Sequence, residues 1–243
     1  MKKKVIIHRP VVWVTGASRG IGREIAKQFA SIGCEVCLSS RDRKRLESAA
    51  EEIIKLGGRA HVFPLDVTNK KSIPSVVKQI QKKVGPVDVL INNAGITVFK
   101  TFVDTSLSEF KDIIQTNLNG PIECIKAIIP GMIKRKEGWI INIVSDAAIK
   151  TFEGSAAYSA SKSGLLALGK VLREEVRKFN IKVVNVLPGA ASTDIWDPKV
   201  RKRYSYRMMK AKSVAEAILS VYQMPDDVVV DEIVVRPVLG DLS

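Results

Sequence analysis

Short runs of β-branched and other apolar residues alternate with longer helical stretches along most of the chain. This alternation is typical of a parallel sheet whose strands are joined by crossover helices. The predicted strands are residues 11–15, 35–40, 60–65, 87–91, 139–144, 182–187 and 232–235. The predicted helices are residues 23–31, 43–55, 72–83, 107–118, 121–134 and 214–222, and one that carries Tyr158 and runs to about Phe179. We therefore expect an α/β fold with a mainly parallel sheet and helices on both faces.

The composition fits a single domain spanning residues 1–243. Hydrophobic residues make up 46% of the chain and charged residues 26%, an ordinary balance for a folded protein. No apolar run approaches the length of a membrane helix, roughly 18 residues, so no membrane association is expected. Three cysteines, an odd number, favour a reducing compartment over a disulfide framework. We expect a cytoplasmic protein with a short basic lead-in at residues 1–7.

The net charge of +14 raises the question of a nucleic-acid partner. The chain has neither zinc-finger spacing nor an aromatic-glycine RNA-binding signature, so none is expected. A basic surface explains the charge, and a polyanionic cofactor or an acidic partner is the alternative. The lone Cys34-x-x-Cys37 pair is expected to pack in the core, and with only two histidines in the chain no metal site is predicted.

The residues with chemical potential share one position in this pattern. Gly16, Asn92, Ser145 and Pro188 lie at or just past the carboxyl ends of predicted strands. Ligands of open α/β sheets bind at that edge. We therefore expect these motifs to meet in one cleft.

Tyr158 and Lys162 are four residues apart on a predicted helix and so share one face. A phenol ordinarily has a pKa of about 10. A nearby ammonium group favours the phenolate and lowers that pKa, which makes the phenol a usable proton donor near neutrality. The pair indicates acid–base chemistry on a carbonyl or alcohol group.

A glycine-rich turn lies between the first strand and the first helix. Its glycines are Gly16, Gly20 and Gly22, a Gly-x-x-x-Gly-x-Gly pattern. Because glycine has no side chain, backbone amides and the helix N-terminus can approach phosphate. The turn predicts a cradle for the pyrophosphate of a dinucleotide.

The end of the second strand bears on the choice of dinucleotide. A preference for NAD is normally marked there by an acidic residue, whereas this chain has Ser39-Ser40-Arg41. Ser40, Arg41 and Arg19 are placed to hold a 2′-phosphate, which favours NADP(H) over NAD(H). A solvated Arg41 is the alternative. Asp66, after the third strand, is expected to bond the adenine amino group or to cap the helix near Ser72.

Together these motifs resemble the short-chain dehydrogenase/reductase family over essentially the whole chain. The resemblance depends on residues 15–22, 92–95, Asn117, Ser145, Tyr158, Lys162 and Pro188-Gly189. It implies a Rossmann-type doubly wound fold, NAD(P)-dependent oxidoreduction, and a catalytic tetrad of Asn117, Ser145, Tyr158 and Lys162. The cofactor-binding set that it implies, with the residues already named, adds Ser18, Ile21, Val67, Asn93, Ala94, Gly95, Pro188, Gly189 and Thr193.

The resemblance also implies roles for the tetrad. Tyr158 is the acid in ketone reduction, and Ser145 bonds the substrate oxygen. Lys162 holds the nicotinamide ribose and lowers the pKa of Tyr158. Asn117 positions a water that returns protons through Lys162, and Thr193 contacts the nicotinamide carboxamide.

Residues 190–212 correspond to the substrate lid of the resembling family. The part from 199 to 212 contains seven basic residues and no acidic one: Lys199, Arg201, Lys202, Arg203, Arg207, Lys210 and Lys212. A basic lid predicts a partly apolar substrate with an anionic group, such as a 3-oxoacyl thioester on an acidic carrier protein; a solvated mobile loop is the alternative. The C-terminal stretch lacks the glycine-rich tail common among 3-oxoacyl reductases, so reduction of a small ketone by a general carbonyl reductase stays open.

Two further expectations concern function and assembly. An NADP-binding regulatory or interaction protein without turnover is the alternative from another class, although an intact tetrad argues against it. Family resemblance implies a homodimer or homotetramer. Leu165, Leu166, Leu168 and Leu172 on the Tyr158 helix are expected in the core or in such an interface.

Overall fold

The computed structural model describes residues 9–240. The basic lead-in predicted at residues 1–7 lies outside them. The strands are β1 (Val11–Thr15), β2 (Glu35–Ser39), β3 (Arg59–Val62), β4 (Val89–Asn92), β5 (Gly138–Ile143), β6 (Ile181–Pro188), β7 (Ala191–Ser192), β8 (Met209–Lys210) and β9 (Glu232–Val235). The α-helices are α1 (Gly20–Ser31), α2 (Arg43–Lys55), α3 (Ile73–Lys83), α4 (Leu107–Ile114), α5 (Gly120–Arg135), α6 (Ala156–Val176), α7 (Pro198–Tyr204) and α8 (Ala211–Tyr222).

Seven strands form one parallel sheet in the order β3-β2-β1-β4-β5-β6-β9. The order reverses direction at β1, next to β4, which is the topological switch point of a doubly wound fold. The predicted Rossmann-type fold class is confirmed. All seven predicted strands are present, β1 and β9 with the predicted bounds and the other five with shifted ends. The short parallel pair β7–β8 was not predicted.

Apolar side chains cover both faces of the sheet, as a sheet buried between two helical layers requires. On one face Ile25 and Phe29 of α1 pack with Leu46 of α2 and Ile218 of α8. On the other face residues of α3 and α5 pack around Trp13, which is fully buried. The Cys34 and Cys37 thiols are buried within these two clusters, so their predicted packing role is confirmed.

A row of three buried asparagines joins the central strands at their carboxyl ends. Asn92, Asn142 and Asn185 are paired in register across β4, β5 and β6. The Asn92 amide donates to Asn142 (3.0 Å), and the Asn142 amide donates to Asn185 (3.1 Å). Gly169 of α6 lies against Asn185 so closely that a side chain there would collide with it. The row fixes the strand ends on which the candidate site is built.

One helical region differs from its prediction, and one helix clarifies an open prediction. The helix predicted at 107–118 is α4 followed by a π-helical turn, Gln115–Asn119, that runs directly into α5. Leu165 and Leu166 of α6 are buried in the core, while Leu168 and Leu172 are partly buried against it. The core interpretation of this leucine set therefore holds.

The segment 190–212 is ordered into secondary structure rather than a plain loop. It contains β7, α7, a 3-10 turn at Ser205–Arg207 and β8. The Asp197 carboxylate accepts hydrogen bonds from the amides of Lys199 (2.8 Å) and Val200 (3.3 Å), which satisfies the open donors at the start of α7. No helix within residues 9–240 has the length and apolar character needed to cross a bilayer.

Candidate active site

The carboxyl ends of β1, β4, β5 and β6 open into one cleft with a volume of about 1120 Å³. This exceeds the roughly 300–1,000 Å³ of most small-molecule pockets and leaves room for a large ligand such as a dinucleotide. Every predicted site residue lines the cleft except Gly22 and Asn117. The predicted convergence of the motifs is therefore observed.

The glycine turn has the backbone geometry that only glycine adopts readily. Gly16 and Gly20 have φ angles of +67° and +57°. Gly22 lies beneath the cleft, where an added Cβ would sit 2.5 Å from the Gly16 carbonyl oxygen. Helix α1 begins at Gly20, three residues before its predicted start, and no side chain caps its first amides. An anion at the turn would meet open N–H donors, so the turn fits a pyrophosphate.

Basic side chains surround one end of the cleft, beside the carboxyl end of β2. Arg19, Arg41 and Arg45 line this end together with Ser40. Asp194, from the lid, lies among them, with its Oδ2 3.5 Å from Arg19 Nη1 and 3.9 Å from Arg45 Nη1. We name this the adenosine end. Its donors match a phosphate monoester on a ribose.

Asp66 also lines the adenosine end, but it does not cap α3. Its Oδ1 accepts from the amide (2.9 Å) and the hydroxyl (2.8 Å) of Thr68 and so closes a turn after β3. Ser72 precedes α3 without a side-chain cap. The prediction that Asp66 caps this helix is therefore wrong, because the Asp66 carboxylate accepts hydrogen bonds from Thr68 instead.

Ser145 and Tyr158 meet on the opposite side of the cleft. Ser145 follows β5, is buried, and accepts a hydrogen bond from the Ala147 amide (3.2 Å). The side chains of Tyr158 and Ser145 are hydrogen-bonded to each other. The first turn of α6 thus brings a phenol and a hydroxyl to one point, where both can reach a carbonyl oxygen.

Lys162 is buried beneath this pair. Its ammonium donates to the Ile143 carbonyl at 2.8 Å and lies 5.8 Å from the centre of the Tyr158 ring. Burial lowers the pKa of Lys162 to about 8. Burial also raises the pKa of Tyr158 to about 12, with the Ser145 hydrogen bond opposing and the Asp146 charge adding to the shift. The predicted lowering of the Tyr158 pKa by Lys162 is therefore not observed in the protein alone, because desolvation dominates.

Asn117 lies in the π-helical turn and is fully buried. Its Oδ1 accepts from the Ile96 amide and its Nδ2 donates to the Ile96 carbonyl, both at 2.9 Å, and Nδ2 also donates to Ser161 (3.1 Å). The side chain therefore fixes the chain after β4. The Gly95 position lies directly over Asn117 and Lys162, since an added Cβ would be 3.4 Å from Asn117 Oδ1 and 3.6 Å from Lys162 Nζ.

Comparison with known proteins identifies the scaffold. Residues 10–203 match the family model described as short chain dehydrogenase. The chain belongs to this family. An uncharacterized oxidoreductase of Staphylococcus aureus is 32% identical over 228 residues, which cover 93% of this chain and 96% of the relative.

Solved structures show the same scaffold with a nicotinamide dinucleotide. A metagenomic short-chain oxidoreductase in complex with NADP has a TM-score of 0.83 and 32% identity, covering 94% of this chain and 96% of its own. A variant of actinorhodin polyketide ketoreductase with NADPH has a TM-score of 0.89 and 29% identity, covering 96% and 97%. This short-chain dehydrogenase is thus an oxidoreductase by family.

Sequence reasoning missed Phe99, which lines the cleft and stacks on Trp196 of the lid, with ring centres 5.1 Å apart and an 11° angle between planes. They are 97 positions apart in the chain, so no local pattern could have paired them. Arg45 and Asp194 were also missed, because isolated charged residues on a helix or loop give no motif.

Proposed function

We propose that this short-chain dehydrogenase is an NADP(H)-dependent oxidoreductase that reversibly reduces a ketone to a secondary alcohol. The observation that supports this most directly is the meeting of Tyr158, Ser145 and Lys162 at the far side of a cleft that begins at the glycine turn. A proton donor and a dinucleotide cradle in one cleft are what carbonyl reduction needs.

The protein's own groups have separate tasks in this proposal. NADPH, when bound, supplies a hydride to the carbonyl carbon. Tyr158 gives its phenolic proton to the oxygen that becomes the alcohol, and Ser145 donates a hydrogen bond to the same oxygen as negative charge develops there. Lys162 holds the nicotinamide ribose and supports the phenolate left after transfer. Asn117, whose side chain bonds the Ile96 backbone, positions the water that returns the proton through Lys162.

The preference for NADP(H) over NAD(H) is supported by the adenosine end. Ser40 follows β2 where NAD-binding chains of this fold place a carboxylate, and Arg19 and Arg41 line the same end. Arg45, from the second turn of α2, adds a third guanidinium. Three guanidinium groups at this end, and a serine rather than an acidic residue at position 40, favour a ligand with an additional phosphate.

Replacing Tyr158 with Phe tests the proposal. The ring and its packing stay while the proton donor is lost, so kcat should fall by about 10²- to 10⁴-fold, the usual contribution of a general acid. The Kd for NADPH, measured by the change in nicotinamide fluorescence on binding, should be nearly unchanged. An unchanged kcat would exclude Tyr158 as the acid.

Tyr222 provides a matched control for this variant. It is a second tyrosine whose pKa burial raises to about 12, and it packs against Phe29 and Trp139 away from the cleft. Tyr222→Phe should leave turnover unchanged. A wild-type protein that binds NADPH but turns over no carbonyl in a broad panel would instead support a silent regulatory or interaction protein.

A further inference from the structure

The basic residues of the lid do not line the cleft. The structure describes all of residues 199–212, and of these only Val200 and Tyr204 line it. Across residues 9–240 the basic residues that line the cleft are Arg19, Arg41, Arg45 and Lys162. The three arginines lie at the adenosine end, and Lys162 is buried. The predicted contact between lid cations and an anionic group of a substrate in the cleft is therefore not supported, so other side chains must recognise the substrate.

A series of aromatic contacts begins at Tyr158. The ring of Phe99 is centred 6.4 Å from the ring of Tyr158 and is tilted by 55° to it. The indole of Trp196 stacks on Phe99, with ring centres 5.1 Å apart and an angle of 11° between the planes. All three residues line the cleft. A substrate whose carbonyl oxygen meets the Tyr158 hydroxyl therefore has an aromatic surface beside it.

The connection after β4, which carries Phe99, is tied to the segment before α6. The amide of Lys100 donates to the Gly154 carbonyl at 3.0 Å. Gly154 has a φ angle of +74°, and an added Cβ there would lie 3.4 Å from the Lys100 backbone. Because α6 follows directly and carries Tyr158 in its first turn, this contact sets the position of Phe99 relative to the proton donor.

The two rings beyond Tyr158 are fixed and yet leave apolar surface open. The Trp196 indole N–H donates to the Ala191 carbonyl at 3.0 Å, which holds the indole in place. Phe99 remains 46% exposed although it stacks on Trp196. Apolar surface of this kind gains free energy when a ligand covers it. An aromatic ligand adds attraction between the rings, whereas a saturated ring of equal size supplies burial alone.

We propose that the substrate of this short-chain dehydrogenase is a ketone with an aromatic ring on the arm that leads away from its carbonyl, and that Phe99 and Trp196 select it. This rests on the proposed carbonyl reduction and narrows its substrate. The carbonyl oxygen meets Tyr158 and Ser145, and the aromatic arm lies against the two rings. A short aliphatic ketone reacts at the same hydroxyls but leaves the rings uncovered.

Three methyl ketones separate aromatic character from size. They are acetone carrying a benzyl group, acetone carrying a cyclohexylmethyl group, and butanone. Saturated carbons insulate the carbonyl from either ring, so the intrinsic reactivity of the carbonyl is nearly the same in all three. With NADPH as reductant, we expect kcat/KM for the benzyl ketone to exceed that for the cyclohexylmethyl ketone about threefold to tenfold, and that for butanone by more.

Two substitutions test whether the rings are the source of the selectivity. Phe99→Leu and Trp196→Leu each remove one aromatic ring and keep an apolar side chain. In either variant the ratio of kcat/KM for the benzyl and cyclohexylmethyl ketones should fall towards one; because a ratio is measured, any general loss of activity cancels. Phe102→Leu is the matched control, since Phe102 lies on the same connection, is 72% exposed and does not line the cleft. It should keep the wild-type ratio.

The outcomes distinguish this inference from the proposed function. A ratio of one in the wild type, an unchanged ratio in both ring variants, or an equal fall in Phe102→Leu overturns the inference while leaving carbonyl reduction intact. Should one ring variant fail to fold, the wild-type ratio and the other variant decide. Absence of turnover for all three ketones and for a broad carbonyl panel, despite NADPH binding, contradicts the proposed function itself and the inference with it.

Discussion

The two ends of the cleft differ in charge although they belong to one continuous cavity. The adenosine end presents Arg19, Arg41 and Arg45. The end beside Tyr158, which we name the substrate end, presents Asp146 and the stacked rings of Phe99 and Trp196. Lys162 is buried between them. A net charge of +14 describes neither end. The contrast shows that the location of charge relative to the cleft, rather than its total, decides which ligand group each end can hold.

The first prediction changes the shape of the glycine turn and leaves the charge of the adenosine end unchanged. In Gly22→Ala, the added Cβ would lie 2.5 Å from the Gly16 carbonyl oxygen, and backbone there cannot yield cheaply. We expect NADPH affinity to fall by up to about 100-fold, since overpacking of this kind costs about 1–3 kcal/mol and distorts the anion cradle. Nicotinamide fluorescence titration measures this.

Gly131→Ala is the matched control for the glycine change. Gly131 lies in α5, where an added Cβ would meet only the end of the Arg135 side chain, at 3.3 Å. Because alanine favours helices, this variant should bind NADPH normally and be at least as stable as the wild type. Wild-type affinity in Gly22→Ala would show that the turn does not bind the pyrophosphate.

The second prediction removes the charge contrast itself. Ser40→Asp places a carboxylate beside Arg41 at the adenosine end, where it would repel a 2′-phosphate and accept bonds from ribose hydroxyls. The Kd for NADPH should rise about tenfold to a hundredfold, while the Kd for NADH should stay the same or fall. Ser40→Asn, similar in shape but uncharged, should change the NADPH-to-NADH ratio far less. An equal effect of both variants would mean that Ser40 acts sterically.

Local sequence signals were sufficient for the adenosine side but not for the substrate end. The glycine turn, Ser40 and Arg41 lie within one strand–turn–helix–strand unit, so their spacing along the chain already sets their spacing in the fold. Phe99, Asp146 and Trp196 come from three separate connections after β4, β5 and β7. Their proximity depends on tertiary packing, which no local pattern encodes.

The lid shows the same limit from another direction. Its seven basic residues were evident in sequence, but side-chain direction depends on how α7 packs. That helix brings Val200 and Tyr204 to the cleft, whereas its four basic residues do not line the cleft. Likewise, the Tyr158–Lys162 pairing was predicted correctly as a spacing on one helix. The direction of the Tyr158 pKa shift was predicted wrongly, because desolvation depends on every group packed around the phenol.

The third prediction concerns the cation between the two ends. Burial lowers the pKa of Lys162 from 10.5 to about 8, so between those values the unfolded chain binds more protons than the folded protein. The stability of the wild type should therefore gain up to about 3 kcal/mol from this group as the pH rises through that window. Lys162→Met lacks the gain, so its stability relative to the wild type should decline from pH 7 to pH 10.

Thermal unfolding without cofactor at several pH values measures this difference. Lys170→Met, on the same helix but half exposed, is the control and should show no such decline. A constant difference between Lys162→Met and the wild type across the pH range would show that Lys162 is not desolvated. Lys162→Met should also lose turnover, as a residue of the proposed tetrad.

The smallest expected effect concerns one of the carboxylates at the adenosine end, that of Asp194, which lies among the arginines. The Arg201 guanidinium, with weaker contributions from Arg19 and Arg45, holds the pKa of Asp194 below its ordinary value. The carboxylate is therefore ionised at neutral pH and competes with a 2′-phosphate for Arg19 and Arg45. Because the groups are largely exposed, each pair contributes only about 0.2–1 kcal/mol. Asp194→Asn should therefore tighten NADPH binding by about two- to threefold, an effect that salt weakens.

Asp227→Asn makes the same change in net charge at an exposed position outside the cleft and should have no effect. An equal gain in NADPH affinity for both variants would mean that total charge, and not the position of the charge, sets the affinity. A gain confined to Asp194→Asn, with NADH affinity unchanged, would show that the nearby arginines act on the 2′-phosphate.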